Sequence, residues 1–172
     1  MAANAIAGPA ITALVTEDAA VFREALPDGG VLLGLDLGTK TIGTAICDAG
    51  WSFATAGKTV PKGKFARDKA ALASLCKDRG VAAIVIGLPL NMDGSAGPRA
   101  QASRSFARNL AHEENGLGLP VLLWDERWST TSAERDLIAQ DFSRAKRAER
   151  IDSHAAAVIL QGAIDRLAGG IL

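Results

Sequence analysis

Residues Val31 to Leu37 form a run of apolar residues and glycine broken by one charge, Asp36. A continuous apolar run of this length, bounded by turn residues, predicts a strand buried on both faces. A carboxylate near the end of such a strand is costly unless something compensates it. Nearby in sequence only Lys40 is placed to do so. This one position constrains the chain more than its bulk properties do: it asks for a covered sheet and for a partner to the Asp36 carboxylate.

The apolar run ends at Gly38-Thr39-Lys40, and a second strand is predicted from about Thr41 to Cys47. Asp48-Ala49-Gly50 breaks it, and a third strand is expected over Ser52 to Val60. Three strands joined by tight turns predict an antiparallel meander. Lys64 to Arg79 has helical periodicity, with Gly80 where a C-cap glycine belongs. Ala82 to Gly87 reads as a buried strand, Leu88 to Gly97 as a loop, and Arg99 to about Asn115 as a helix. Val121 to Trp124 reads as a strand and Thr131 to Ala139 as a helix. Phe142 to Arg150 carries four bases and one acid with no apolar pattern, and Ile151 to Leu167 is an Ala-rich helix. This order predicts an α/β fold: a mixed five-stranded sheet, three antiparallel strands then parallel ones, with helices on both faces.

Residues 1–30 read as an N-terminal extension to a domain spanning 31–172. Met1 to Pro9 is featureless, Ile11 to Leu26 predicts one short amphipathic helix, and Pro27-Asp28-Gly29-Gly30 is a turn signal where the domain starts. The 172 residues suit one domain, and 48% hydrophobic residues suffice for a sizeable core. Lys+Arg and Asp+Glu both total 19, but the first 30 residues are acidic and the remainder carries a net +3. That is a weak lean toward anionic partners. Cys47 and Cys76 lack metal-type spacing and read as reduced, buried thiols of a cytoplasmic protein. No run reaches transmembrane length, and the N-terminus lacks the basic start of a signal peptide, so no membrane partner is expected. A monomer or a homodimer is expected.

Four acids stand at the rims of core elements: Asp36 on the first strand, Asp125 and Glu126 after a later one, and Asp152 in the first turn of the last helix. A converging carboxylate cluster repels itself unless a cation neutralises it. Oxygen-only donors favour Mg²⁺ or Mn²⁺ over zinc. Each acid also has a plain structural reading: Asp152 at a helix start, Asp125 at a turn, Glu126 paired with Arg127. Thr39 and Lys40 lie between Gly38 and Gly43, where a phosphate backbone can approach closely or a hairpin can turn. Asn91 and Asp93 lie in the Gly-rich loop after Leu90, a place that often carries function. Arg144, Lys146, Arg147 and Arg150 precede Asp152, as a guide for a nucleic-acid backbone or as a solvated face. His154 reads first as structural. Of Trp51, Trp124 and Trp128, core packing suits Trp124, and Trp128 is the candidate for base stacking.

Four segments carry a resemblance: GLDLGTKTIGTA (Gly34 to Ala45), IVIGLPLNMDGS (Ile84 to Ser95), DERWSTTSAE (Asp125 to Glu134) and IDSHAAAVIL (Ile151 to Leu160). In this order and spacing they resemble the YqgF family, also called RuvX, of pre-16S rRNA nucleases and Holliday junction resolvases. The resemblance covers about Val31 to Leu167. It implies a ribonuclease H-like fold, as in the RuvC resolvases, and a metal-dependent endonuclease. Its substrate would be structured nucleic acid, precursor ribosomal RNA or branched DNA. It implies a centre of Asp36, the Asp125–Glu126 pair and Asp152, binding Mg²⁺ or Mn²⁺ through Asp36, Glu126 and Asp152. The motif leaves open which of the pair binds metal; Glu126 ranks ahead of Asp125. Asp93 is a lesser candidate. Thr39, Lys40, Asn91, Arg127, Arg144, Lys146 and Arg147 are the expected nucleic-acid contacts. Family members commonly show Leu or Phe where Trp128 stands, and residues 1–30 have no counterpart in the pattern.

Two other classes compete. Actin-like sugar kinases and chaperone ATPases also use a D-x-G-T turn, but they need two such domains and this chain supplies one. A non-catalytic RNA- or ribosome-binding module is the other, since fold does not guarantee activity.

Overall fold

The computed structural model describes residues 12–128 and 144–169; the side chains of residues 128 and 144–152 are outside that description. The element order is β1 (Val15–Thr16), α1 (Ala19–Glu24), β2 (Val31–Leu37), β3 (Thr41–Cys47), β4 (Ala54–Ala56), β5 (Val60–Pro61), α2 (Phe65–Arg79), β6 (Val81–Leu88), α3 (Pro98–Ala111), β7 (Val121–Asp125), a 3₁₀ turn (Glu126–Trp128) and α4 (Arg144–Ala168). The strands form one mixed sheet in the order β1-β7-β6-β2-β3-β4, with β5 also paired to β3. β2 pairs antiparallel with β3 and parallel with β6, and β6 parallel with β7. The alternating helices supply the crossovers that parallel neighbours require.

Two cores sandwich this sheet. Leu33, Leu35, Ile84, Ile86, Val121 and Leu123 pack on one face against Leu72 of α2 and Phe106 and Leu110 of α3. Leu32, Val85 and Leu122 pack on the other against Ile159, Leu160 and Ile164 of α4 and Phe22 of α1. Alternate residues of each central strand thus serve opposite cores, and the strand must be apolar throughout. Each fully buried Leu or Ile contributes about 1.5–3 kcal/mol of hydrophobic stabilisation. Helix α2 ends at Gly80, whose φ of 63° is the left-handed C-cap expected from sequence. Both cysteines are buried and free, and burial pushes the Cys76 thiol up to about 11.

Four expectations are corrected. The predicted third strand is two short ones, β4 and β5, each paired to β3. The predicted N-terminal helix is confined to Ala19–Glu24, and β1 ahead of it pairs in parallel with β7. The sheet therefore has more than five strands. The last helix spans Arg144–Ala168 rather than Ile151 to Leu167, so the bases from Arg144 to Arg150 are helical and Asp152 lies more than two turns inside it. The predicted Thr131–Ala139 helix falls outside the described residues. Among the described residues no helix is long and apolar enough to cross a membrane.

Candidate active site

At the C-terminal ends of β2, β6 and β7 the register aligns one row of residues across four strands. Asp36 pairs with Gly43 of β3, and Gly87 pairs with Trp124 of β7. Asp36 stands one step beyond the Leu35–Ile86 pair, beside Gly87 on β6, at the strand spacing of about 4.8 Å. Period-two alternation puts Asp36 on the same face as Leu32 and Gly34, the face covered by α4. Asp36 is only 3% exposed, and glycine flanks it on both neighbouring strands.

Glycine at position 87 leaves room above the sheet, and Glu126 uses it. A Cβ at Gly87 would fall 2.5 Å from Glu126 Oε1 and 2.6 Å from Ile159 Cδ1. The Glu126 carboxylate therefore occupies the space a side chain at position 87 would fill, on the strand adjacent to Asp36. Helix α4 closes over this face. Its Ala156 carbonyl and Leu160 side chain lie against Gly34, and Ser153 Oγ is 2.8 Å from Thr59 Oγ1, beside β5. The N-terminal half of α4 thus lies at the end of the sheet that carries Asp36. Helical spacing of four puts position 152 on the stripe of Ala156 and Leu160, one turn nearer that end.

Asp125 has a different fate. It pairs with Leu88, in the row that continues through the buried Leu37 and Ile42 on the opposite face. Arg127 clamps its carboxylate, donating from Nη2 to Oδ2 at 2.7 Å and from Nε to both oxygens at 3.1 Å. Partial burial alone would raise the Asp125 carboxyl, but the Arg127 contacts outweigh it and hold it below the usual range. Sequence reading expected Glu126 to pair with Arg127 in its structural alternative; the arginine takes Asp125 instead.

The loop after β6 is closed on itself. Asp93 accepts the Ser95 N–H at 2.9 Å and its hydroxyl at 2.6 Å, and Asn91 Nδ2 donates to Ser95 Oγ at 2.9 Å. Those Ser95 bonds hold the exposed Asp93 carboxyl below its ordinary value. Arg127 Nη1 reaches the Met92 carbonyl at 3.5 Å, so Asp125, Arg127 and this loop form one unit. Thr39 and Lys40 are exposed at the turn between β2 and β3, closed by Gly38 N–H to the Thr41 carbonyl at 2.9 Å. Arg144, Lys146 and Arg147 start α4; their side chains, and those of Asp152 and Trp128, lie outside the described residues. His154 is half-buried in α4. Trp51 is core, donating to the Gly30 carbonyl at 2.8 Å under the Arg23 guanidinium. Trp124 is half-buried against Gly162.

Among the described residues no three His, Cys, Asp or Glu side chains form a metal-holding group. Of the described oxygen donors, Asp36 stands on β2 and Glu126 lies over Gly87 of the adjacent β6; hard oxygen groups of this kind suit Mg²⁺ or Mn²⁺. Gly87 is the position sequence reading missed. Its signal was a glycine inside an apolar strand, which often marks a close approach.

Mixed sheet, helical covers and carboxylates at the strand ends define an α/β protein of the ribonuclease H-like class. The profile described as "RuvX: Holliday junction resolvase" matches residues 30–166, and the chain belongs to that family. A protein of Novosphingobium aromaticivorans named "Putative pre-16S rRNA nuclease" is 64% identical over 156 residues, covering 91% of this chain and 98% of that one. Its namesake from Sphingopyxis alaskensis is 62% identical over 154 residues, covering 90% and 99%. The match of 156 residues is too long to fit beyond residue 30 alone, so it takes in part of the N-terminal segment. Among solved structures, Thermus thermophilus RuvC in complex with a Holliday junction substrate superposes with a TM-score of 0.51. It is 16% identical, covering 81% of this chain and 96% of that one, a likeness of fold.

Proposed function

We propose that this chain is a divalent-metal-dependent endonuclease of the cytoplasm that hydrolyses structured nucleic acid, with the 5′ end of precursor 16S rRNA as its substrate. The observation that carries the reading is the Glu126 carboxylate lying over Gly87, on the strand next to buried Asp36, at the strand ends of a RuvX-family fold. Relatives more than 60% identical and matched over nearly their whole length are named "Putative pre-16S rRNA nuclease". Residues 31–172 are the nuclease domain in this reading. Residues 1–30 are an extension whose strand and helix finish the sheet edge beside β7.

Asp36, Glu126 and Asp152 would hold Mg²⁺ or Mn²⁺. When bound, such an ion lowers the pKa of water and stabilises the charge on a leaving phosphate oxygen. Asp36 is fixed by the sheet, and Glu126 is fixed by the room over Gly87. Their carboxylates are thereby preorganised rather than gathered at the moment of reaction. Lys40 and Thr39 at the adjacent turn contact the phosphate backbone. Arg144, Lys146 and Arg147 extend that contact along α4. Asp125 and Arg127 brace the 91–95 loop and stand outside the hydrolytic centre.

The test is Asp36→Asn assayed with precursor rRNA and with branched DNA in Mg²⁺. The variant is expected to lose cleavage while keeping its fold by circular dichroism. Unchanged cleavage removes Asp36 from the mechanism. Cleavage of branched DNA but not of the precursor RNA would favour the junction-resolving reading that the family description supports. RNA binding without cleavage by the wild type would favour a binding module.

A further inference from the structure

Beyond Asp36 and Glu126, the same end of the sheet has a concavity. It is lined by Gly38, Thr39, Lys40 and Thr41 of the β2–β3 turn and by Arg99 in the first turn of α3. No carboxylate lines it. A third cation adjoins it: Lys62 Nζ donates to the Gly38 carbonyl at 3.2 Å, and the Lys62 N–H donates to the Lys40 carbonyl at 2.9 Å. Among the described residues neither Lys40 nor Arg99 forms an ion pair. Asp68, on the neighbouring helix, is buried and spends an oxygen on the Gly63 N–H at 2.9 Å.

Like charges gathered round one concavity repel each other until an anion joins them. Gly38 lies two residues past Asp36 along the chain, about 7 Å for extended backbone. That separation is comparable to the distance between neighbouring phosphates of one nucleic-acid strand. A guanidinium presents paired donors that match phosphate oxygens, and the Lys40 ammonium adds a point charge from the turn.

We infer that this concavity is a phosphate subsite: Arg99, with Lys40 and Lys62, holds a backbone phosphodiester next to the one cleaved. The inference rests on the nuclease reading for the identity of the strand, and it adds Arg99 and Lys62, which the family motifs do not mark. Arg99 acts by binding. It sets where the strand lies and takes no part in bond cleavage.

The experiment measures binding of a single-stranded RNA oligonucleotide across a salt series, with a chelator present so that hydrolysis plays no part. Each lost phosphate contact lowers the slope of log K against log salt by about 0.7 for a single strand. Arg99→Ala is expected to show that drop, and Lys40→Ala/Arg99→Ala about twice it. Arg99→Lys is expected to keep most of the wild-type slope. Arg79→Ala is the charge-matched control, since Arg79 precedes the start of β6 at the opposite end of the sheet; its slope is expected to stay at the wild-type value. An Arg99→Ala slope equal to wild type, or to that of Arg79→Ala, overturns the subsite. If the wild type cleaves normally in Mg²⁺ while Arg99→Ala leaves the slope unchanged, the subsite alone fails. If the slopes fall as expected but no cleavage appears in Mg²⁺, the nuclease reading fails and what stands is phosphate binding at Arg99, with no cleaved neighbour. A wild type that binds no RNA overturns both.

Discussion

Asp125 and Glu126 are adjacent in sequence and lie on opposite sides of one sheet. Glu126 reaches over Gly87 toward the strand that carries Asp36, beneath α4. Asp125 ends a row of buried aliphatic residues on the other side and is clamped by Arg127. The two carboxylates have the same charge and nearly the same chain position. One step of a period-two pattern separates the acid over Gly87, proposed above to hold a cation, from the acid that Arg127 clamps. The lesson is that a pair of acids after a strand is not one site. Strand register decides which member shares a face with the buried acid two strands away.

The comparison is broken or sharpened most strongly by exchanging the two acids' roles. Glu126→Gln is expected to lose about 4 kcal/mol of transition-state stabilisation, roughly a thousandfold in kcat/KM. Asp125→Asn is expected to stay within about tenfold of wild type, as a residue that only supports others would. Equal losses in both variants, measured on one RNA substrate in Mg²⁺, would dissolve the distinction.

A smaller effect is expected at Gly87. In Gly87→Ala the new methyl collides with Glu126 Oε1 and Ile159 Cδ1. Displacing the carboxylate should weaken metal-supported activity by about 10–100-fold, with a higher Mg²⁺ concentration needed for half-maximal rate. Overpacking against Ile159 should cost about 1–3 kcal/mol in urea denaturation. A Mg²⁺ requirement unchanged from wild type would mean that Glu126 is not held where it matters.

The smallest effect belongs to the Asp125–Arg127 pair. Its side chains are 16% and 31% exposed, so Asp125→Asn should cost only about 1 kcal/mol at neutral pH. The folded protein lowers the Asp125 pKa. Its contribution is therefore complete above the unfolded value of about 3.9 and is lost as pH falls through the lower, folded value. The stability gap between wild type and Asp125→Asn should be open at pH 7 and close in strong acid. A gap that widened with acid would contradict the pairing.

The central strands were legible because burial on both faces leaves a continuous apolar run, and β2 and β3 fall at their expected bounds. β1, β4 and β5 were not, since strands of two or three residues carry no period to read. The start of α4 was hidden because Arg144 to Arg150 has no apolar stripe; the helix is visible in sequence only once it packs on Gly34. At the site, Asp36 was legible as a charge in an apolar run. The sequence ranked Glu126 ahead of Asp125 but could not show their different surroundings, because those depend on the alignment of β7 with β6 and on the missing side chain at Gly87. Arg99 escaped notice because its link to Lys40 is made across the fold.

A crystal of the wild-type protein soaked in Mn²⁺ and measured at a wavelength where manganese scatters anomalously tests the central claim most directly. An anomalous peak between the Asp36 and Glu126 carboxylates, with Asp125 still clamped by Arg127, is the predicted result. A peak on Asp125 with Glu126 turned away would contradict it.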